Sequence, residues 1–243
     1  MKYLLLCLSI LLFGQMSRIE IIPPQVAQIP SLKEKKLQGF IYPYKTISIK
    51  PFYIGKYEVT KQEYNLYLQQ KQRKLKEFDE SELNEPVVNI TFDEAQDVCS
   101  FYKGRLPSEE EWIVASSLKL AKTKCYENLQ EGSFHPYSIT PQAIECMKNE
   151  DDELEEDLVG TELLDVVDSY ENINGTFGMY GNVWEYVNTQ IQHFSHQYVV
   201  IKGGSYADPK VLFDNRVENF IQKSVRRVNI GFRCTWDKKE SKK

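Results

Sequence analysis

Histidine is nearly absent from this chain: three in 243 residues, at positions 135, 193 and 196. So small a supply leaves little material for an imidazole metal centre or a histidine proton relay. His193 and His196 would share a face only in a helix, and the residues around them read as strand or loop. No two cysteines have the Cys-x-x-Cys spacing of a zinc site. A basic excess is missing too. Lys and Arg total 30 against 35 Asp and Glu, a net charge of −5, so nucleic acid is not an expected partner. The apolar run Tyr3–Phe13 has eleven residues, whereas a membrane-spanning helix needs about 20. No internal repeat is visible.

What is present is core material. Fifteen tyrosines and twelve phenylalanines in a chain that is 42% apolar allow a sizeable packed interior. The length fits one or two domains. Lys2 followed by the apolar run resembles an export signal, so residues 1–17 are expected to be a signal peptide or a short uncleaved anchor. Any membrane attachment would pass through that anchor, and the expected location is the envelope, the periplasm or the secreted space. With Cys7 in the signal, Cys99, Cys125, Cys146 and Cys234 remain, an even number that favours disulfides in an oxidising compartment.

Residues 18–45 carry Pro23, Pro24, Pro30 and Pro43 without periodicity and are expected to be a linker. Short strands follow at 46–49 and 52–59. Three hydroxyl-x-x-Glu boxes then predict three helix starts: Thr60 with Glu63, Thr91 with Glu94, and Ser108 with Glu111. Gly104 is expected to close the second helix in a left-handed conformation. The acidic run 150–157 reads as a solvated loop, and the tail 237–243 as a frayed basic end. Short strands at 183–186, 198–201 and 229–234 complete the chain. Strands and helices do not alternate, so the class is α+β with little regular secondary structure.

Two glycines close the strand-like run Tyr198–Ile201 in the stretch Lys202-Gly203-Gly204-Ser205-Tyr206-Ala207-Asp208. Their backbone is expected to approach either a ligand or the protein's own core. Trp112 and Trp184 should be buried. Arg233, beside a core strand, demands a carboxylate, and Glu111 or Glu185 is the expected partner.

Seven phrases in order carry a resemblance: Phe52–Thr60 with Tyr64, Pro86-Val87-Val88, Ala95 with Cys99, Gly104–Trp112, Gly181–Glu185, Gly203-Gly204-Ser205 and Gly231–Cys234. Residues 45–236 thus resemble the formylglycine-generating enzyme (sulfatase-modifying factor) domain family. The resemblance implies that family's C-type-lectin-like α+β fold. It also implies a Cys99–Cys234 disulfide, which leaves Cys125 and Cys146 as the second pair. The family's copper-binding cysteines fall at Asp208 and Phe213, and neither supplies a thiolate for Cu(I), which argues against copper. Its calcium site maps onto the carbonyls of Gly181 and Val183 and the Glu185 carboxylate. Its further side-chain ligand falls on Gly178, which has no side-chain oxygen, so calcium is retained as a cofactor with a damaged site.

The expected function is therefore an exported, non-catalytic binding or scaffold module that shows its loops, 122–175 and 206–228, to a protein or glycan partner. The alternative is an atypical oxidoreductase using Ser205, Asp208 and Glu218 in the same pocket.

Overall fold

The computed structural model describes residues 16–21, 27–30, 44–116, 134–135, 138–139, 175–193, 195–208 and 217–238. Cys125, Cys146, Phe213, the acidic run and the N-terminal apolar segment lie outside the described residues.

Each hydroxyl-x-x-Glu box starts a helix: α1 (Lys61–Gln70), α2 (Phe92–Phe101) and α3 (Glu109–Ala115). In each, the hydroxyl accepts from the glutamate N–H, and the glutamate carboxylate accepts from the cap N–H at 2.8–2.9 Å. Two orphan donors are satisfied at every start, worth about 1 kcal/mol per cap. The end of α2 departs from expectation. Lys103, not Gly104, takes the left-handed conformation (φ +60°). Gly104 is needed for closeness instead: a Cβ there would lie 2.7 Å from the Thr235 carbonyl oxygen and from Trp236 Nε1.

The segment expected to be a linker contributes strands. β1 (Arg18–Ile21) pairs antiparallel with β4 (Phe52–Gly55), and β2 (Ala27–Pro30) with β3 (Tyr44–Ile47). Strands of four residues are too short to display a period of two, and their partners are distant in sequence. After a two-residue hairpin, β5 (Phe134–His135) with β6 (Ser138–Ile139), come β7 (Trp184–His193), β8 (His196–Lys202), β9 (Asn219–Gln222), β10 (Ile230–Gly231) and β11 (Thr235–Asp237). One sheet has the order β1-β4-β11, and another β10-β7-β8-β9 with β10 parallel to β7. Among the described residues no helix is long and apolar enough to cross a membrane.

Alternation along β7 and β8 divides the interior in two. Trp184, Tyr186, Val199 and Ile201 face a core built with Tyr64, Tyr67, Phe92, Val98 and Phe232. Val187 and Val200 face a second core around Trp112, Phe52, Ile54 and Met179. Both faces of this hairpin are covered near its base, which is why its apolar residues run consecutively. The Cys99–Cys234 disulfide ties α2 to the segment before β11, with Cα atoms 5.4 Å apart.

Candidate functional site

The two glycines after β8 take φ +100° and +77°, backbone that favours glycine. What Gly203 approaches is the protein itself. A Cβ on Gly203 would lie 2.6 Å from the Met179 carbonyl oxygen and 3.2 Å from the Trp112 ring. The Gly203 carbonyl also accepts from Gly181 N–H at 3.0 Å. The Gly-Gly turn therefore docks onto the Gly-Asn turn that opens β7.

Ser205 and Asp208, expected in the pocket, are brought together and bound to each other. Asp208 Oδ2 accepts from the Ser205 hydroxyl, from Ser205 N–H at 3.1 Å, and from Trp184 Nε1–H at 2.7 Å. Asn229 Nδ2–H donates to Ser205 Oγ at 2.9 Å. The Asp208 N–H closes the turn on the Ser205 carbonyl at 2.9 Å. One carboxylate oxygen thus holds a buried indole and a wholly buried serine in place. Nothing in this set is a nucleophile beside a base of the usual kind, since a carboxylate alone is a weak activator of a serine hydroxyl.

Beneath the turn lies a buried ionic centre. Arg233 is fully buried and satisfied at all three nitrogens. Its Nε donates to Glu185 at 2.8 and 3.0 Å, its Nη2 to Glu185 Oε1 at 2.5 Å and Phe177 O at 2.7 Å, and its Nη1 to Gly55 O at 3.1 Å. Trp112 Nε1–H donates to Glu185 Oε2 at 2.8 Å. Of the two expected partners only Glu185 is correct. Glu111 instead binds Arg105 through two hydrogen bonds of 2.7 Å, because its helix start points it at the preceding loop.

The second carboxylate at Arg233 is Glu58, which the sequence reading missed. Its Oε2 lies 3.8 Å from Arg233 Nη2, and its Oε1 accepts from Asn182 Nδ2–H at 3.1 Å. Burial pushes the Glu58 carboxyl up to about 8; Arg233 opposes the rise and Glu185 adds to it. The only local signal was an acid between Tyr57 and Val59 in a strand-like run.

These residues do not fit calcium as the family pattern would hold it. Both Glu185 oxygens already accept from Arg233, and one from Trp112 as well. Gly178 supplies no side-chain oxygen, and a Cβ there would fall 2.3 Å from Glu58 Oε1. The Glu58 carboxylate fills the space of the missing ligand, and a guanidinium already supplies the positive charge.

Glu218, the third suspect, belongs to a cluster with Glu109 and Lys202. Lys202 is fully buried at the end of β8, with Nζ 3.9 Å from Glu109 Oε1 and 6.0 Å from the Trp112 ring centroid. Burial pushes the Glu109 carboxyl up to about 7; Lys202 opposes this, and a hydrogen bond shared with Glu218 adds to it. Neither Glu109 nor Lys202 was anticipated from sequence. Of the histidines, His193 and His196 are register partners across the β7–β8 hairpin, and His196 is exposed with Nδ1 3.2 Å from Ser195 Oγ. Among the described residues no group of three His, Cys, Asp or Glu could hold a metal ion.

The two docked turns, the buried Arg–Glu centre and the sparse α+β architecture define a C-type-lectin-like domain of the formylglycine-generating type. A family model described as "Sulfatase-modifying factor enzyme 1-like domain" matches residues 23–238, and the chain belongs to that family. Solved structures share the fold. PvdO from Pseudomonas aeruginosa has a TM-score of 0.62 and 15% identity, covering 90% of this chain and 94% of that one. Treponema denticola variable protein 1 has a TM-score of 0.61 and 16% identity, covering 91% and 95%. Among curated proteins, "Inactive C-alpha-formylglycine-generating enzyme 2" of Bos taurus is 25% identical over 162 residues, 61% of this chain and 49% of the relative. The chain thus spans about half the length of that relative.

Proposed function

We propose that the chain is an exported, non-catalytic module of the cell envelope or secreted space that binds a protein or glycan partner on a sulfatase-modifying-factor scaffold. The observation that carries this reading is Asp208. At a position where the family's copper enzymes need a thiolate, an aspartate spends its Oδ2 on Trp184 and Ser205 and so serves the turn. The bovine relative, inactive by its name, supports the same reading. Export rests on the N-terminal apolar run after Lys2.

One observation favours a second reading, an atypical oxidoreductase. Glu109, its carboxyl pushed up to about 7 by burial and set 3.9 Å from the buried Lys202 ammonium, is the kind of perturbed acid that functional sites collect. The two readings separate on the purified full chain, loaded with Cu(I) or Fe(II) and offered a cysteine-containing peptide with oxygen. The binding-module reading expects no stoichiometric metal and no oxidised peptide. Bound metal together with peptide oxidation that disappears in Asp208→Ala or Glu218→Gln would overturn it.

A further inference from the structure

Where the β8–β9 strands end against the start of α2, a cleft of about 220 Å³ opens. Its walls are Asp93, His196, Gln197, Gln222, Lys223 and Ser224, every one of them polar. They come from three separate elements: Asp93 from the first turn of α2, His196 and Gln197 from the start of β8, and the others from the end of β9 and the turn after it. Two contacts set the spacing of the walls. Lys223 Nζ lies 2.7 Å from Asp93 Oδ1, and Lys223 N–H donates to the Gln197 carbonyl at 2.9 Å. The Lys223 ammonium also stands 5.5 Å from the Phe92 ring centroid, so its stem is anchored on the core.

The chemistry of these walls selects a ligand class. Asp93 and Lys223 cancel, so neither an anion nor a cation finds net opposite charge. The lining residues are all polar by type, yet the wall they expose is more carbon than nitrogen and oxygen, which suits a ligand that joins hydroxyls to a C–H face better than it suits a lipid. What it offers are two primary amides, an imidazole and a hydroxyl, groups that donate and accept side by side. Vicinal hydroxyls of a sugar do the same. The Ser195 hydroxyl engages His196 Nδ1, which leaves Nε2 as the ring nitrogen for a ligand. The volume lies below the roughly 300–1,000 Å³ of sites for drug-sized ligands, which suits one sugar ring at a time.

We infer that this cleft is a binding site for a neutral sugar residue, held by the Gln197 and Gln222 amides and His196. The site rests on the binding-module reading and gives that reading an address. The test is a titration of the isotope-labelled full chain with methyl glycosides of neutral hexoses and of N-acetylhexosamine, followed by the side-chain amide signals of Gln197 and Gln222. Those signals should shift for at least one glycoside. Affinity should fall about tenfold in Gln197→Ala and in Gln222→Ala, about 1.4 kcal/mol, with the melting temperature unchanged. A hexose phosphate should bind no more tightly than its neutral parent.

No shift with any glycoside, or binding that ignores both substitutions, overturns the site. Capture of a partner protein by the full chain with no response to glycosides would overturn the sugar site alone and leave the module reading standing. Metal-dependent peptide oxidation would overturn the module reading itself.

Discussion

Buried carboxylates decide how single residues behave here. Glu58 is held above its ordinary range by burial, so between about pH 4.5 and 8 the folded protein keeps a proton that the unfolded chain releases. Its contribution to stability therefore falls as pH rises through that window. Glu58→Gln keeps an acceptor for Asn182 without the ionisation, and it should be more stable than the wild type at pH 8 by roughly 1–3 kcal/mol. The two proteins should converge near pH 5, and denaturant unfolding at the two pH values checks this. A wild type that gains stability with rising pH relative to the variant would contradict the assignment. At this scale the sequence was half legible. A buried guanidinium demands a carboxylate, and Glu185 stands in a recognisable phrase. Glu58 was hidden because its contact with Asn182 spans 124 positions, and no local pattern marks such a meeting.

At the scale of elements, local chemistry was readable and nonlocal pairing was not. The three helix starts are decided within four residues each, and all three stand where the hydroxyl-x-x-Glu boxes put them. Thr91→Ala, which removes the hydroxyl that accepts from Glu94 N–H, should cost about 1 kcal/mol in an unfolding titration. A change close to zero would mean that α2 is held by its core face alone. β1 was invisible, because four residues acquire meaning only beside β4, and its Arg18 rests on Trp236 with the guanidinium carbon 4.3 Å from the ring. Gly104 was assigned the wrong reason. Its neighbours Thr235 and Trp236 arrive from the far end of the chain, so a close approach looked like a helix cap. The Cys99–Cys234 link, implied by the family resemblance, closes 135 positions. Replacing both cysteines by serine should cost roughly 2–5 kcal/mol and lower the melting temperature under non-reducing conditions. Equal stability in the presence and absence of reductant would sink that expectation.

For the whole molecule, the Gly-Gly-Ser turn joins the two cores. Gly203 packs on Trp112 and Met179 of one core, while Asp208 holds Trp184 of the other. Family membership was legible because the phrases that carry it are these architectural contacts. Function was less so, because the loops that would meet a partner have no period and no fixed chemistry. The most direct measurement is unfolding free energy and metal content together, on the wild type and on Asp208→Ala. If the turn is scaffold, the variant loses roughly 1–3 kcal/mol, because Trp184 Nε1–H and the Ser205 donors lose their acceptor, and neither protein carries stoichiometric copper. Unchanged stability, with bound copper present in the wild type and lost in the variant, would show a reactive aspartate and contradict it.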